Sequence, residues 1–534
     1  MPKFGELPEL AATVLQPGFV GTSAPDWVRR WLGEGLGGVA LFARNVESPA
    51  QVAALTAQLR AERPDVLVAI DEEAGDVTRF ESRLGSSRPG NLALGAIDDA
   101  ALTEAVARDL GDDLAKAGIT LDYAPDADVN SNPANPVIGV RAFGAEAQLV
   151  ARHSAAFVRG LQAAGVAACA KHFPGHGDTS VDSHHDVPLI DRDRQQLADC
   201  ELVPFRAAIE AGVQVVMTGH LLVPAYDKEL PATLSRRILT GLLREELGFG
   251  GLIVTDGIEM QGVRRKYGLT GATVRALAAG VDAICVGGDH AEEHTATELR
   301  DAIVAAVLDG TLPEQRLRDA AARVRKLGEW TTRTQTATGA RAVADAGPEV
   351  VSMAFSPVKG GGGAVLDGLS AASGIGIGFD AARRAVRVTR TEDAPTLPIT
   401  APAYVVEFAP PRNIAIGAET PWGLSAPLDE LLPGTETARL TEDDDPAAAL
   451  AAAGDRPLVV VARDVHRHPW QAEALTTLLA ARPDAIVVEM GLPVTVLGAI
   501  HIATYGATRA CGQAAAELIA GTVVPTPEPQ PLAA

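Results

Sequence analysis

Four times in this 534-residue chain a helical pattern ends in Ala-Gly and passes straight into a β-branched apolar run: Ala117-Gly118-Ile119, Ala164-Gly165-Val166, Ala211-Gly212-Val213 and Ala279-Gly280-Val281. Glycine just past a helix supplies the left-handed cap, and the β-branched residue after it starts a strand. This repeated joint restricts the chain to alternating helices and strands. Collecting the apolar runs gives eight candidate strands, around 13–20, 38–44, 66–72, 119–126, 166–172, 213–220, 251–256 and 281–287. Helical periodicity fills the gaps. Ser48-Pro49-Ala50-Gln51 reads as a capping box opening a helix to about Glu62, and further helices run from Asp98 to Lys116 and from Ala145 to Ala163. Eight such units predict a (β/α)8 TIM-type barrel, and runs without alternation fit strands covered on both faces.

Thr331 to Ala346 is poor in large apolar residues and reads as a linker, partly helical. Apolar runs then return at Ala403–Phe408, Leu458–Ala462 and Ala485–Met490, alternating with helical segments such as Trp470–Ala481 and Ala510–Ala520. The expected organisation is α/β throughout: a catalytic barrel over 1–335, a linker over 336–347, and a smaller α/β sandwich-type domain with a partly parallel sheet over 348–534. Asp443-Asp444-Asp445 reads as a solvated loop.

A net charge of −22 argues against nucleic acid or an anionic membrane as the main partner, because like charges repel. Cys169, Cys200, Cys285 and Cys511 are scattered without a CxxC pair, which points to free thiols rather than a disulfide framework. The first residues lack a basic segment followed by an apolar run and a small-residue cleavage site. No stretch reaches about 18 uninterrupted apolar residues, so a cytoplasmic location is the default expectation.

Polar residues recur at the ends of the candidate strands. Asp71 ends the third, Asp126 and Asp128 the fourth, Lys171 and His172 the fifth, His220 the sixth and Asp256 the seventh. In a barrel these ends share one face, where catalytic groups gather. The densest chemistry lies in Lys171–Ile190, KHFPGHGDTSVDSHHDVPLI, which holds four of the eleven histidines and three aspartates. Such a loop could be a turn satisfying its own backbone, or a metal site using His176, His184 and Asp178, although the spacings match no ligand template. A third reading is a histidine held by a carboxylate as a proton-transfer device.

Retaining glycoside cleavage needs a carboxylate nucleophile on one side of the sugar and an acid/base group on the other. Asp256, leaving a strand before Gly257, is a candidate for the first role, with a helix N-cap as its alternative. Asp182 and His184 are candidates for the second, since an i, i+2 pair in a loop can turn both side chains inward; His185 is an adjacent competitor.

KHFPGHGDT followed by DSH, with VTDGIEM after it and IDEEAG before it, resembles glycoside hydrolase family 3, in particular its NagZ-type β-N-acetylglucosaminidases. The motifs span about Asp71 to Met260, and the two-domain length is similar to that of the longer members. The resemblance implies double displacement through a covalent glycosyl-enzyme, with Asp256 as nucleophile and His184 as acid/base oriented by Asp182. It places Asp71, Arg79, Arg141, Lys171 and His172 around the N-acetylglucosamine ring, and implies no metal or organic cofactor. The expected activity is exo-acting removal of non-reducing β-N-acetylglucosamine from cell-wall or chitin-type fragments.

Two stretches depart from the family pattern. The usual acidic-Gln-Glu-Gly-Gly-Arg run stands here as Asp71-Glu72-Glu73-Ala74-Gly75-Asp76, and VIGDRSFG stands as VIGVRAFG, with Val140 and Ala142 replacing polar residues. A runner-up follows from the acid/base. A glutamate in that role would repel phosphate by about 4 kcal/mol at ~4 Å and an effective dielectric near 20, whereas a neutral imidazole would not. Some family members with this device are similar in using phosphate as acceptor, so inorganic phosphate is a candidate partner and phosphorolysis, or tolerance of β-glucosides, an alternative activity. A non-catalytic sugar-binding protein is a third class.

Overall fold

The computed structural model describes residues 6–180, 187–346, 348–354, 376–392, 394–411, 415–417 and 420–522. Eight short parallel strands make the first unit: β1 (Leu15–Pro17), β2 (Gly38–Leu41), β3 (Leu67–Ile70), β4 (Leu121–Asp122), β5 (Ala167–Phe173), β6 (Val215–Thr218), β7 (Leu252–Thr255) and β8 (Ile284–Val286). β2 to β7 pair in sequence order, β1 pairs with β8, a Val254–Ala283 bridge joins β7 to the start of β8, and β1 packs beside β2. The expected barrel is therefore present, with each strand inside its predicted window except β5, which runs one residue beyond it to Phe173.

Alternation is hidden inside the apolar runs. Ala40, Leu67, Ala69, Leu121, Ala167, Val215, Met217 and Leu252 fill the barrel interior, while Val39, Leu41, Val68, Ile70, Ala168 and Val216 pack outward against helices. Both sets are apolar because both faces are covered. The four Ala-Gly joints behave as their chemistry requires: Gly118, Gly165, Gly212 and Gly280 have φ of 79°, 93°, 82° and 133°, where a side chain would be strained.

Local boundaries differ in detail. Helix Pro49–Glu62 is capped by Ser48, whose hydroxyl accepts from Gln51 N at 3.2 Å, but the Gln51 side chain turns back to Glu47 N rather than closing the box on Ser48. The helix expected from Asp98 to Lys116 runs from Ala100 to Lys116, capped by Asp99, and a left-handed Asp98 separates it from a further helix, Asn91–Ile97.

The stretch expected as a partly helical linker continues the last helix of the first unit. Helix Glu314–Thr338 runs through 335, and Ala340–Asp345 follows as a second helix. Polar contacts rather than large apolar side chains hold it to the barrel: Gln335 Nε2 donates to Ile119 O at 2.6 Å, and Arg60 pairs with Asp345 at 2.9 Å. Val324, Leu327 and Trp330 of the longer helix close the barrel floor.

The second unit holds a six-stranded sheet made of β9 (Arg387–Arg390), β10 (Tyr404–Phe408), β11 (Glu436–Leu440), β12 (Leu458–Ala462), β13 (Ile486–Glu489) and β14 (Ile500–Ala503). Its order is β11-β10-β12-β13-β14-β9, parallel except for the edge strand β9. Helices Pro469–Ala481 and Arg509–Ala520 cover opposite faces, giving the expected α/β layers. In the acidic run, Asp445 caps helix Pro446–Ala453 by accepting from Ala447 N at 2.9 Å. The four cysteines are free. Among the described residues no helix is long and apolar enough to cross a membrane.

Candidate active site

The C-terminal ends of the barrel strands open into a cavity of about 450 Å³ whose wall includes Asp71, Arg79, Arg141, Lys171, His172 and Asp256. Six of the eight residues singled out from sequence are thus brought together. The other two, Asp182 and His184, lie outside the described residues.

Each strand end contributes a charge that its neighbours neutralise. Lys171, at the end of β5, reaches Glu73 Oε1 at 2.6 Å and also bonds Asp71 Oδ1. Burial alone would strip the charge from the Lys171 ammonium, but Asp71 and Glu73 outweigh it and hold its pKa above the ordinary lysine value. Glu73 is gripped from its other side by Arg141, whose Nε and Nη2 donate to the two carboxylate oxygens at 2.9 and 2.7 Å. Although burial opposes its ionisation, Arg141 and Lys171 keep the Glu73 carboxyl well below the usual range. A fully charged Lys171–Glu73–Arg141 chain therefore forms the cavity floor.

His172 is oriented from behind. Its Nδ1 lies 2.8 Å from Asp128 Oδ2, while Asp128 Oδ1 accepts from the backbone N–H of His172 and His176 at 3.2 and 2.7 Å. With Nδ1 donating to the carboxylate, Nε2 faces Arg141 at 3.4 Å. Asp126 lies beside Asp128, fully buried, and burial followed by the Asp128 charge raises its pKa well above the ordinary value.

Asp256 leaves β7 half-buried, with its Oδ1 accepting from Gly257 N at 2.8 Å. It is not a helix cap: the following helix, Gln261–Tyr267, has Met260 at the N-cap position. His220, buried at the end of β6, is fixed by Thr233 at Nδ1 and lies 2.9 Å from Gly257 O at Nε2, which steadies the turn carrying Asp256.

Of the three residues of the metal reading, His184 lies outside the described residues, and the other two have partners. Asp178 pairs with Arg192 at 2.7 Å, and His176 Nδ1 lies 2.8 Å from Thr179 Oγ1, with burial lowering its pKa to about 4. The one group with ligand-like spacing among the described residues is Asp126, Asp128 and His172, and it is already occupied by the Asp128–His172 bond and by Arg141 3.7 Å from Asp126.

Three contributors were not singled out from the sequence. Ala415, from the second unit, lines the cavity, and its carbonyl accepts from Arg79 at 2.7 Å. Arg79 also donates to Asp71 Oδ2 at 3.3 Å. On the far wall, Glu259 Oε1 accepts from Gly287 N and Gly288 N at 2.9 and 2.6 Å, while Arg44 donates to the carbonyls of the same two glycines, at 2.9 Å for Gly288. That opposed grip sets the loop after β8 beside Asp256. A charged residue just past β2 and β7 was the available clue, since strand ends had marked the others.

The departures from the family pattern have local explanations. Asp76 bonds Arg463 and accepts from Ala507 N at 2.8 Å, so a barrel loop is tied to the loops after β12 and β14. Ala142 packs in a small apolar cluster with Val137 and Ile138.

Residues 20–327 match the family model described as Glycosyl hydrolase family 3 N terminal domain. A β-hexosaminidase A of Pseudoalteromonas piscicida is 40% identical over 269 residues, which is 46% of this chain and 45% of that protein. The chain thus spans about half the length of this relative. The solved structure of a glycoside hydrolase family 3 β-N-acetylglucosaminidase from Paenibacillus sp. str. FPU-7 aligns over 97% of both chains, with a TM-score of 0.81 and 33% identity. A β-glucoside phosphorylase structure aligns over 97% of this chain and 92% of its own, with a TM-score of 0.77, but at 18% identity that likeness speaks for the fold alone. The family match over more than half of the chain, together with the Paenibacillus alignment, makes this protein a member of glycosyl hydrolase family 3.

Proposed function

We propose that the chain is a retaining exo-β-N-acetylglucosaminidase acting on non-reducing terminal β-linked N-acetylglucosamine of cell-wall or chitin-type fragments. The observation that carries this reading is the convergence of Asp71, Arg79, Arg141, Lys171 and His172 on one wall of the cavity that Asp256 also lines. Charged groups already locked to one another are preorganised to hold sugar hydroxyls by charge-assisted hydrogen bonds. In this mechanism the Asp256 carboxylate attacks the anomeric carbon as the bond to the leaving oxygen breaks. His184, oriented by Asp182, gives its proton to that oxygen. Water then attacks the anomeric carbon, the sugar–aspartate bond breaks, and His184 takes the proton back, releasing a β-configured sugar.

The names of the relatives support the hexosaminidase reading, in which water is the acceptor. We read residues 1–335 as the catalytic barrel and 348–534 as the second domain, whose contact through Ala415 gives it a part in sugar binding. The test is incubation with an aryl β-N-acetylglucosaminide with and without phosphate, the product being followed by NMR. Free N-acetylglucosamine appearing first as the β-anomer, at a rate indifferent to phosphate, is the expected result. Sugar 1-phosphate would replace this reading with phosphorolysis, and a first-formed α-anomer would remove the covalent step.

A further inference from the structure

On the barrel face opposite the sugar cavity, a second cavity of about 500 Å³ opens between the starts of β6 and β7 and helix Glu314–Thr338. Its helical wall is formed by Arg323, Lys326, Trp330 and Arg333. Their spacing of i, i+3, i+7 and i+10 lays them along one stripe about 15 Å long. The other wall is the Gly248–Gly251 turn with Phe249. Gly251 admits no side chain, since a Cβ there would come within 2.4 Å of Gln214 O and 2.6 Å of the Phe249 ring.

The charge here runs against that of the molecule. In a chain of net charge −22, three cations line this cavity and only Glu329 opposes them. Beneath the wall, the fully buried Asp282 is shared by Arg244, Arg316 at 2.5 Å and Arg323 at 3.6 Å, so one carboxylate serves three guanidinium groups. The Nε–H groups of Arg316 and Arg323 are buried and have no acceptor among the described residues. Over about 10 Å at physiological salt, screening leaves such local cations, not the distant net charge, to decide what enters.

We propose that this cavity binds a phosphorylated small molecule with a flat or apolar body, the phosphate held by Arg323, Lys326 and Arg333 and the body lying against Trp330. The volume is that of a small-ligand site, and the pairing of three cations with the half-exposed Trp330 ring suits an anion carrying a ring. The proposal is independent of the reaction proposed for the opposite face.

The test is calorimetric titration of the full chain with adenosine monophosphate, inorganic phosphate and adenosine. Adenosine monophosphate is expected to saturate with a Kd below about 1 mM, phosphate to bind more weakly and adenosine not measurably. Lys326 and Arg333 are exposed, so a Lys326→Glu/Arg333→Glu variant is expected to fold, to keep its glycosidase activity and to lose at least about tenfold in nucleotide affinity. Lys326→Gln alone, the milder change, should lose about two- to threefold by the same charge argument. The site is refuted if neither phosphate-bearing probe binds up to about 10 mM, if adenosine binds as well as its phosphate, if the variants bind like the parent, or if saturating N-acetylglucosamine displaces the nucleotide.

Discussion

Arg79 donates to the main-chain oxygen of Ala415 across 2.7 Å of space and 336 residues of sequence. With Asp71 on its other flank, the guanidinium is held at the rim of the cavity by one group from each unit. Arg79→Lys keeps the charge, but its nitrogen falls one bond short of the Nη2 that serves both acceptors. Loss of one charge-assisted bond, about 1.5–3 kcal/mol, should raise KM for an aryl N-acetylglucosaminide by roughly 10–100-fold with a smaller change in kcat. An unchanged KM would show that Ala415 does not position the residue for substrate.

Glu73 joins two buried cations, so removing its charge leaves Lys171 and Arg141 uncompensated. Glu73→Gln should cost about 3–5 kcal/mol in urea unfolding and abolish turnover. The pH dependence has a definite sign. Glu73 and Asp128 both titrate below the ordinary carboxylate value in the folded protein. Their contribution is complete above the unfolded pKa, about 4, and is lost as pH falls through the lower folded values. Acid unfolding monitored by circular dichroism should show the loss in the parent and a shallower dependence in Glu73→Gln.

Glu72 has the opposite sign. Burial, then the Glu81 charge, raises its carboxyl to about 7 despite bonds from Phe80 N, Thr78 and Arg79 N. The unfolded chain releases this proton near pH 4 while the folded chain keeps it, so stability falls as pH rises between about 4 and 7. Glu72→Gln, the residue found at this position in the family run, should therefore stabilise the protein by up to about 3 kcal/mol at pH 8 and change little at pH 4. Chemical denaturation at the two pH values reads the difference.

Asp76 is buried between the two units, taking Arg463 and Ala507 N. Asp76→Ala leaves the Arg463 guanidinium without its partner, and a loss of about 3–5 kcal/mol is expected. If the contact couples the units, calorimetric unfolding of the variant will separate into two transitions where the parent gives one.

The Arg44–Glu259 grip on Gly287 and Gly288 can be tested by graded replacement. Glu259→Gln retains an oxygen for the two glycine N–H groups and should keep near-parental activity. Glu259→Ala leaves both N–H groups unpaired at about 1–3 kcal/mol each, and should lower kcat/KM by at least about tenfold. Equal activities in the two variants would remove the wall's role.

The barrel was legible because its punctuation is local. A glycine at positive φ and the β-branched residue after it identify an αβ joint without knowledge of any distant partner, and strand ends then mark Asp71, Lys171, His172 and Asp256. What sequence could not give is pairing at a distance. Glu73 and Asp128 stood in recognised stretches, yet their work depends on Arg141 and on His172, 68 and 44 residues away. Ala415 acts through a carbonyl that every residue possesses. The contacts of the stretch read as a linker have the same origin: Gln335 and Asp345 look like solvent-facing residues until Ile119 O and Arg60 are set beside them.

The carbonyl that completes the Arg79 site also carries a consequence for the order of events during synthesis. A ribosome releases Asp71, Lys171 and Asp256 well before it reaches residue 415. A nascent barrel can form the Lys171–Glu73–Arg141 chain and present Asp256, yet Arg79 lacks one acceptor until the second unit has emerged and docked. Assembly of the Arg79 site is thereby tied to synthesis of the second unit.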